Sequence, residues 1–294
     1  MRPSAHDRPN PAFPSPEDFI GVLAKALPAF GAIDWVTSTG STNADLSLRA
    51  QRARAQPDSP PRPWLLGAHL QTAGKGRAGR PWINEAGSTL MFSCAFATEI
   101  PLAQLPGIAP ALGVATCHAL RALMGAQPND PLLTPLKLKW PNDLQWHGAK
   151  LAGLLIETAP SSTVVVGMGL NLHGATALSA QLGREIADLS QVEQACNRSV
   201  HPAHLVAHVA QAWQHALRDY AANGYTAFTH SFDIVDALAG HSVQLMDQGN
   251  ILHQGIAQGT DALGRLRIMT ETGLVPVLVG DVSIRPAHTS KGTP

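Results

Sequence analysis

Residues 71–82 read Gln-Thr-Ala-Gly-Lys-Gly-Arg-Ala-Gly-Arg-Pro-Trp, which sets three glycines (Gly74, Gly76, Gly79) among three cations (Lys75, Arg77, Arg80). Glycines let a backbone approach an anion closely and adopt positive φ, and the cations supply charge-assisted donors. On composition two readings stay open, a phosphate-handling loop and a mobile glycine-rich surface loop. Gly74-x-Gly76-x-x-Gly79 matches the dinucleotide fingerprint, and a strand-like run, Trp64–Leu70, precedes it. The chain then continues as Arg80-Pro81-Trp82 rather than as the apolar start of a crossover helix, which excludes the Rossmann reading. Lys75 is followed by Gly76 and not by Ser or Thr, so a P-loop is excluded as well.

Strand signals recur downstream at Thr89–Phe96, Leu136–Trp140, Leu151–Glu157 and Val164–Val166, with His147-Gly148 as a turn between two of them. Leu105, Ile108, Leu112, Ala115, Ala119 and Leu123 track one face of a helix over 105–124. Upstream, Ser41-Thr42-Asn43 has the pattern of a helix cap, and the polar, proline-rich stretch 50–63 reads as a surface loop. Phe19, Ile20, Leu23 and Leu27 predict one short helix before Pro28, too little for a helix-turn-helix domain. Over 201–222, Leu205, Val209, Trp213, Leu217 and Tyr220 form an apolar stripe opposite His204, His208, Gln211 and His215. After Gly240 the strand-like pieces SVQLM, ILHQGIAQ, RLRIMT and VPVLVGDVSIRP alternate with turns, which predicts a small all-β module. The expected organisation is a proline-rich disordered tail over 1–16, a main domain over 17–239, the β-module over 240–286 and a tail over 287–294.

Composition bounds the function. Of 294 residues 45% are hydrophobic, enough for a sizeable core, and aromatics at 5% leave Leu, Val, Ala and Ile to fill it. Lys plus Arg and Asp plus Glu both number 21, so there is no global basic excess for wrapping nucleic acid and any anion site must be local. Cys94, Cys117 and Cys196 form no CxxC pair and no even framework, which suits a reducing compartment. The first 16 residues lack an apolar leader core, and no later run approaches the roughly 18 apolar residues of a membrane span. A cytoplasmic protein without membrane contact is expected.

Three further blocks carry chemistry. Lys139-Trp140-Pro141-Asn142-Asp143 places an amide and a carboxylate at a strand end, although Asn-Asp is also good turn chemistry. Lys150-Leu151-Ala152-Gly153 brings a cation to a hairpin end near that turn. Gly167-Met168-Gly169-Leu170-Asn171 runs a strand into a close-approach turn with a polar side chain beyond it.

Taken together and in this order, Ser41-Thr42-Asn43, the 71–82 loop, Lys139–Asp143, Lys150–Gly153 and Gly167–Asn171 resemble the biotin protein ligase family over about residues 33–286. The resemblance implies an α/β (α+β) fold: a central mixed, mainly antiparallel sheet with flanking helices, class II synthetase-like, and a small C-terminal β-barrel. It implies a two-step reaction with no tightly bound cofactor. Biotin and Mg-ATP give biotinyl-5′-adenylate, and a lysine of a biotin carboxyl carrier domain of acetyl-CoA carboxylase or a related carboxylase then attacks it. Ser41, Thr42, Asn43, Gln71, Gly74, Lys75 and Gly76 match the biotin pocket. Arg77 matches a residue that makes and retains the adenylate, and Lys150 one that bridges the biotin carboxylate and the α-phosphate, where charge builds. Arg80, Trp82, Asn142, Asp143 and Asn171 match the ATP site: Trp82 as an aromatic wall, Asn142 and Asp143 beside the phosphates, Asp143 toward Mg2+, and Asn171 at the adenine. No nucleophilic Ser or Cys is implied, because the substrate carboxylate itself attacks phosphorus.

Lys75 stands where that family more often has Arg, keeping the charge without the bidentate fork. Gly40 stands where an acidic residue commonly precedes Ser-Thr-Asn. The chain resembles the enzyme-only type without an N-terminal winged helix, so no nucleic-acid partner is expected, and homodimerisation is left open. The enzymatic alternative is a lipoate or octanoate ligase or transferase of the same fold, whose Arg-Arg and Gly-Gly-Gly pocket motif is not present. A metal-binding role for His204 and His208, at helical i,i+4 spacing with His201 and His215 nearby, lacks the Glu of an H-E-x-x-H pair.

Overall fold

The computed structural model describes residues 13–56, 58–125, 131–160, 162–247, 250–277 and 283–286. Seven strands form the main sheet: β1 (Ala32–Thr39), β2 (Trp64–Gln71), β3 (Thr89–Ala97), β4 (Leu136–Lys139), β5 (Asp143–Trp146), β6 (Ala149–Ala159) and β7 (Thr163–Asn171). Their order is β1-β2-β3-β7-β6-β5-β4. β1 and β2 run parallel and every other neighbouring pair is antiparallel, the mixed, mainly antiparallel sheet that the resemblance implies.

The central strands are apolar on both faces because both are covered. Helices α1 (Pro16–Ala26), α3 (Ile108–Leu123) and α6 (Pro202–Asn223) pack on one face, where Leu90, Phe92, Cys94, Val164, Val166 and Leu170 join one core with Leu112, Leu120, Leu205, Val209 and Trp213. Trp213 stacks on Phe92 with ring centroids 5.2 Å apart, and its Nε1 donates to Thr116 Oγ1 at 2.8 Å. Helix α2 (Thr42–Ala53) covers the other face through Leu46 and Ala50 against Trp64, Ala95 and Val165. α2 extends only partway along the sheet, and the uncovered part becomes the cleft described below.

Some elements depart from the sequence expectation. The stretch read as a loop from residue 50 stays helical to Ala53, because Ala50, Gln51, Arg52 and Ala53 are helix formers and the prolines come later. β1 and the short helices α4 (Ala175–Leu182), α5 (Leu189–Cys196) and α7 (Thr229–Val235) carry too few periodic positions to be legible. The predicted helix before Pro28 is α1, capped reciprocally by Ser15 and Asp18. Residues 1–12 and 287–294 of the expected tails lie outside the described residues.

Beyond residue 240 a five-stranded sheet forms from β8 (Ser242–Asp247), β9 (Asn250–Thr260), β10 (Leu266–Thr270), β11 (Gly273–Val277) and β12 (Ser283–Pro286), in the order β11-β10-β9-β8-β12. The run expected as one strand-like piece, VPVLVGDVSIRP, thus supplies strands at opposite edges. The module is a small antiparallel β-sheet, and among the described residues β11 and β12 stand at its two edges.

The segment joining the two sheets adds to the free edge of β4: Ala237 N donates to Leu138 O at 3.0 Å, and Leu238 N donates to Asp236 Oδ1 at 2.7 Å. Burial pushes the Asp236 carboxyl up to about 6; Asp233 adds to the rise, while the Leu238 amide and Lys137 oppose it. A carboxyl whose pKa is higher folded than unfolded gives stability that is complete below its unfolded value of 3.8 and is lost as pH rises to about 6. Asp236→Asn should therefore exceed the wild type in stability above pH 6, by up to about 3 kcal/mol, and lose that advantage as pH falls toward 4. Thermal unfolding at stepped pH checks this, and a pH-independent difference in Tm would contradict it.

Candidate active site

The cleft lies on the α2 face of the sheet, and its floor is made by missing side chains. Gly153 of β6 faces Gly169 of β7 in register, and Leu155 faces Gly167. A Cβ at Gly169 would fall 2.4 Å from the Trp82 ring, and one at Gly167 would fall 2.2 Å from Asn43 Oδ1. The indole of Trp82 therefore reaches the sheet only because residue 169 is glycine. The 71–82 loop forms the roof and folds back on itself: Gly76 N donates to Arg80 O at 2.7 Å and Trp82 N donates to Gly74 O at 2.9 Å. Ala78 (φ 55) and Gly79 (φ 69) make the reversal in the left-handed region. Asn84 closes the base of the loop, accepting from Gln71 N at 3.1 Å and donating to Gln71 O at 2.9 Å and Trp82 O at 3.2 Å.

One end of the cleft is neutral and polar. Ser41 caps α2, and Gln71 Oε1 accepts from Thr42 N at 2.8 Å and from Thr42 Oγ1 at 3.2 Å. Thr42 Oγ1 is 2.6 Å from Ser93 Oγ, which donates to Asn43 Oδ1 at 2.6 Å, and Asn43 Nδ2 donates to Glu157 Oε2 at 2.8 Å. Thr42, Asn43 and Ser93 are all buried, so these groups are held in fixed orientations.

The other end is cationic. Lys75, Arg77, Arg80, Lys139, Lys150 and Arg184 line the cavity, and Asp143 is the one carboxylate among the described lining residues. Lys150 Nζ sits 2.7 Å from Asp143 Oδ1 and 5.4 Å from the Trp82 ring centroid. Arg77 Nη1 donates to Asn142 Oδ1 at 3.4 Å, and Asn142 Nδ2 donates to Leu154 O at 2.5 Å. Lys150 owes its direction to a bulge: β5 residues Leu144 and Gln145 pair with Ala152 and Lys150, so Leu151 is extra. The bulge breaks the two-residue alternation, and Lys150 joins Gly153 on the cleft face. Such a cluster of cations under a glycine-rich roof is suited to a polyanion.

All the predicted residues except two line this one cavity: Ser41, Thr42, Asn43, Gln71, Lys75, Gly76, Arg77, Arg80, Trp82, Asn142, Asp143 and Lys150. Gly74 is buried in the base of the roof loop. Asn171, expected at the adenine, lies beneath the wall: its Nδ2 donates to Lys150 O at 3.3 Å and Ala187 O at 3.1 Å, and its buried Oδ1 has no partner. Ser93, Lys139 and Arg184 line the cavity without having been selected. Ser93 is one polar residue in an apolar strand, which could have drawn attention; Arg184 sits in a stretch with no motif.

A family model described as the biotin/lipoate A/B protein ligase family matches residues 41–171, and the biotin protein ligase C-terminal domain matches 240–285. The chain is 33% identical over 253 residues to the biotin--[acetyl-CoA-carboxylase] ligase of Mycobacterium tuberculosis, covering 85% of this chain and 88% of that one. It is 25% identical over 225 residues to the bifunctional ligase/repressor BirA of Bacillus spizizenii, and spans 66% of that protein's length. The solved biotin protein ligase of Aquifex aeolicus in complex with biotin and ATP has the same fold, with a TM-score of 0.69, 23% identity, and coverage of 88% of this chain and all of that one. The chain belongs to the biotin protein ligase family.

The glycine floor makes a testable demand. In Gly169→Ala the added methyl must displace the Trp82 indole, so ligase activity should fall about tenfold or more with little loss of Tm. Gly21→Ala, where a Cβ meets nothing within 4 Å, is the control and should match the wild type in a steady-state assay. Equal activity of the two variants would contradict the account of the floor.

Proposed function

We propose that this chain is a biotin--[biotin carboxyl-carrier protein] ligase. It condenses the biotin carboxylate with the α-phosphate of Mg-ATP, releasing pyrophosphate and forming biotinyl-5′-adenylate. The ε-amine of a lysine on a biotin carboxyl carrier domain of acetyl-CoA carboxylase or a related carboxylase then attacks the acyl carbon, and AMP leaves. The observation that carries the reading is the junction at Lys150, where a neutral hydrogen-bonding end of the cleft meets a cationic end.

The neutral end is fitted to the ureido head of biotin, a planar group with donors and acceptors that Ser41, Thr42, Gln71 and Ser93 can match. A lipoyl or octanoyl group would leave buried polar atoms facing sulfur or hydrocarbon, which disfavours that alternative. Lys150 lies where the biotin carboxylate and α-phosphate must meet, and its ammonium offsets the charge that builds as the carboxylate attacks. Arg77 and Arg80 on the roof, with Lys75, close over the phosphates. Mg2+ arrives with the triphosphate, and Asp143 suits it as a single carboxylate ligand, since Mg2+ is usually held by one or two carboxylates together with substrate phosphates. Trp82 borders the nucleotide, and Asn171, whose buried Oδ1 has no partner among the described residues, is the residue we give to the adenine side. The division of the chain near 239/240 is supported by its two separate sheets. A cytoplasmic location is supported by the buried thiols of Cys94 and Cys117, which form no disulfide.

Incubation with biotin, Mg-ATP and an apo carrier domain, followed by streptavidin blotting, should label the carrier on one lysine. Lipoate or octanoate accepted in place of biotin would sink the assignment. Arg77→Gly should form adenylate but release it, seen as streptavidin labelling of bystander proteins. Unchanged selectivity in that variant would remove Arg77 from the retaining role.

A further inference from the structure

The C-terminal sheet reaches the back of the cleft at one point. Trp140 Nε1, in the middle of Lys139–Asp143, donates to Gly264 O at 2.9 Å inside the protein, across 124 residues of sequence. Gly264 belongs to the turn Asp261–Arg265 between β9 and β10. That turn is braced from within: Asp261 Oδ1 accepts from Leu263 N at 2.9 Å and Arg265 N at 3.0 Å, and Asp261 Oδ2 accepts from Arg265 Nε at 2.6 Å. It also leaves no slack outside. Gly264 has φ +79, and a Cβ there would fall 2.9 Å from Gly107 Cα and 2.9 Å from the Tyr225 ring.

Forward of Trp140 the contacts lead to the roof. Asn142, two residues on, is tied to β6 by its Nδ2 to Leu154 O (2.5 Å) and by Leu154 N to its own carbonyl (2.9 Å). Its Oδ1 accepts from Arg77. A rigid turn in the C-terminal sheet, a buried indole, an asparagine and a roof arginine thus form one connected line; the last three line the cavity, and the turn alone lies outside it.

We infer that the Asp261–Arg265 turn positions Asn142, and through it Arg77, by way of the Trp140–Gly264 hydrogen bond, so that the C-terminal sheet sets the affinity of the nucleotide end of the cleft. The inference rests on the reading of Asn142 and Arg77 as phosphate-end residues. Trp140 is here a positioning residue: its ring fills space that phenylalanine could fill, and its N–H is what reaches the turn.

The test uses the full chain and steady-state pyrophosphate release. Trp140→Phe keeps the ring and loses the donor; Asp261→Ala loosens the turn from a site that does not line the cavity. Both should raise KM for ATP about fivefold, the worth of one buried hydrogen bond, while KM for biotin stays within about twofold. Both should also speed adenylate loss. A parallel rise in both KM values, or no change in either, overturns the inference, and if Trp140→Phe does not fold, Asp261→Ala decides. Asn142→Ala separates the premises. If it raises KM for ATP and the other two variants do not, the strut falls and the phosphate-end reading stands. If Asn142→Ala leaves KM for ATP unmoved, that reading fails first.

Discussion

The whole site hangs on a lysine held at 2.7 Å from a carboxylate in a half-open cleft. Lys150 and Asp143 keep 18% and 29% of their side-chain surface exposed, and an ion pair wet to that degree contributes little stability of its own. The pair is therefore a product of the backbone rather than its cause. The β-bulge at Leu151 turns Lys150 toward the cleft, and a returning segment clamps its main chain: Lys150 N donates to Glu185 O at 3.1 Å and Ala187 N donates to Lys150 O at 2.9 Å. Asn171 then ties Lys150 O to Ala187 O from below. With its backbone fixed on two sides, Lys150 can exchange Asp143 for an incoming anion without moving the sheet.

The same sheet shows how a cleft is made by subtraction. Its apolar strands would otherwise be covered from end to end by α2 and the loops. Gly153, Gly167 and Gly169 remove three Cβ atoms from adjacent strands, and Trp82 and Asn43 occupy that space at the two ends of the cleft. Neutral hydrogen-bonding groups then gather where β3 and the start of α2 meet, and cations gather where the roof loop faces β5 and β6. A molecule with a neutral polar head and an acid at the other end, joined to a polyphosphate, meets complementary chemistry along the whole length.

Much of this was legible in the sequence, because motif chemistry and local structure coincide. The 71–82 loop read as an anion loop is the roof, Lys139–Asp143 is the β4–β5 turn, and Ser41 is a helix cap whose helix points into the cleft. What stayed hidden depends on the third dimension. Arg184 has no neighbours in sequence that mark it and enters the cleft only because residues 185–187 pair with Lys150. Asn171 sits beneath the wall, where its amide donates to two backbone carbonyls, a placement that its motif does not reveal. The bulge at Leu151 depends on pairing register, which alternation alone does not reveal. The C-terminal strands were readable singly, whereas the placement of β11 and β12 at opposite edges is a matter of topology.

The central claim is that Lys150 supplies the charge at which acid and α-phosphate are joined. Biotin-dependent exchange of labelled pyrophosphate into ATP isolates that step from transfer to the carrier. Lys150→Ala, with circular dichroism and Tm close to wild type, should lose exchange by roughly 10²-fold or more, as expected when a charge aimed at a developing oxyanion is removed. Exchange near the wild-type rate in a folded Lys150→Ala protein would contradict the account.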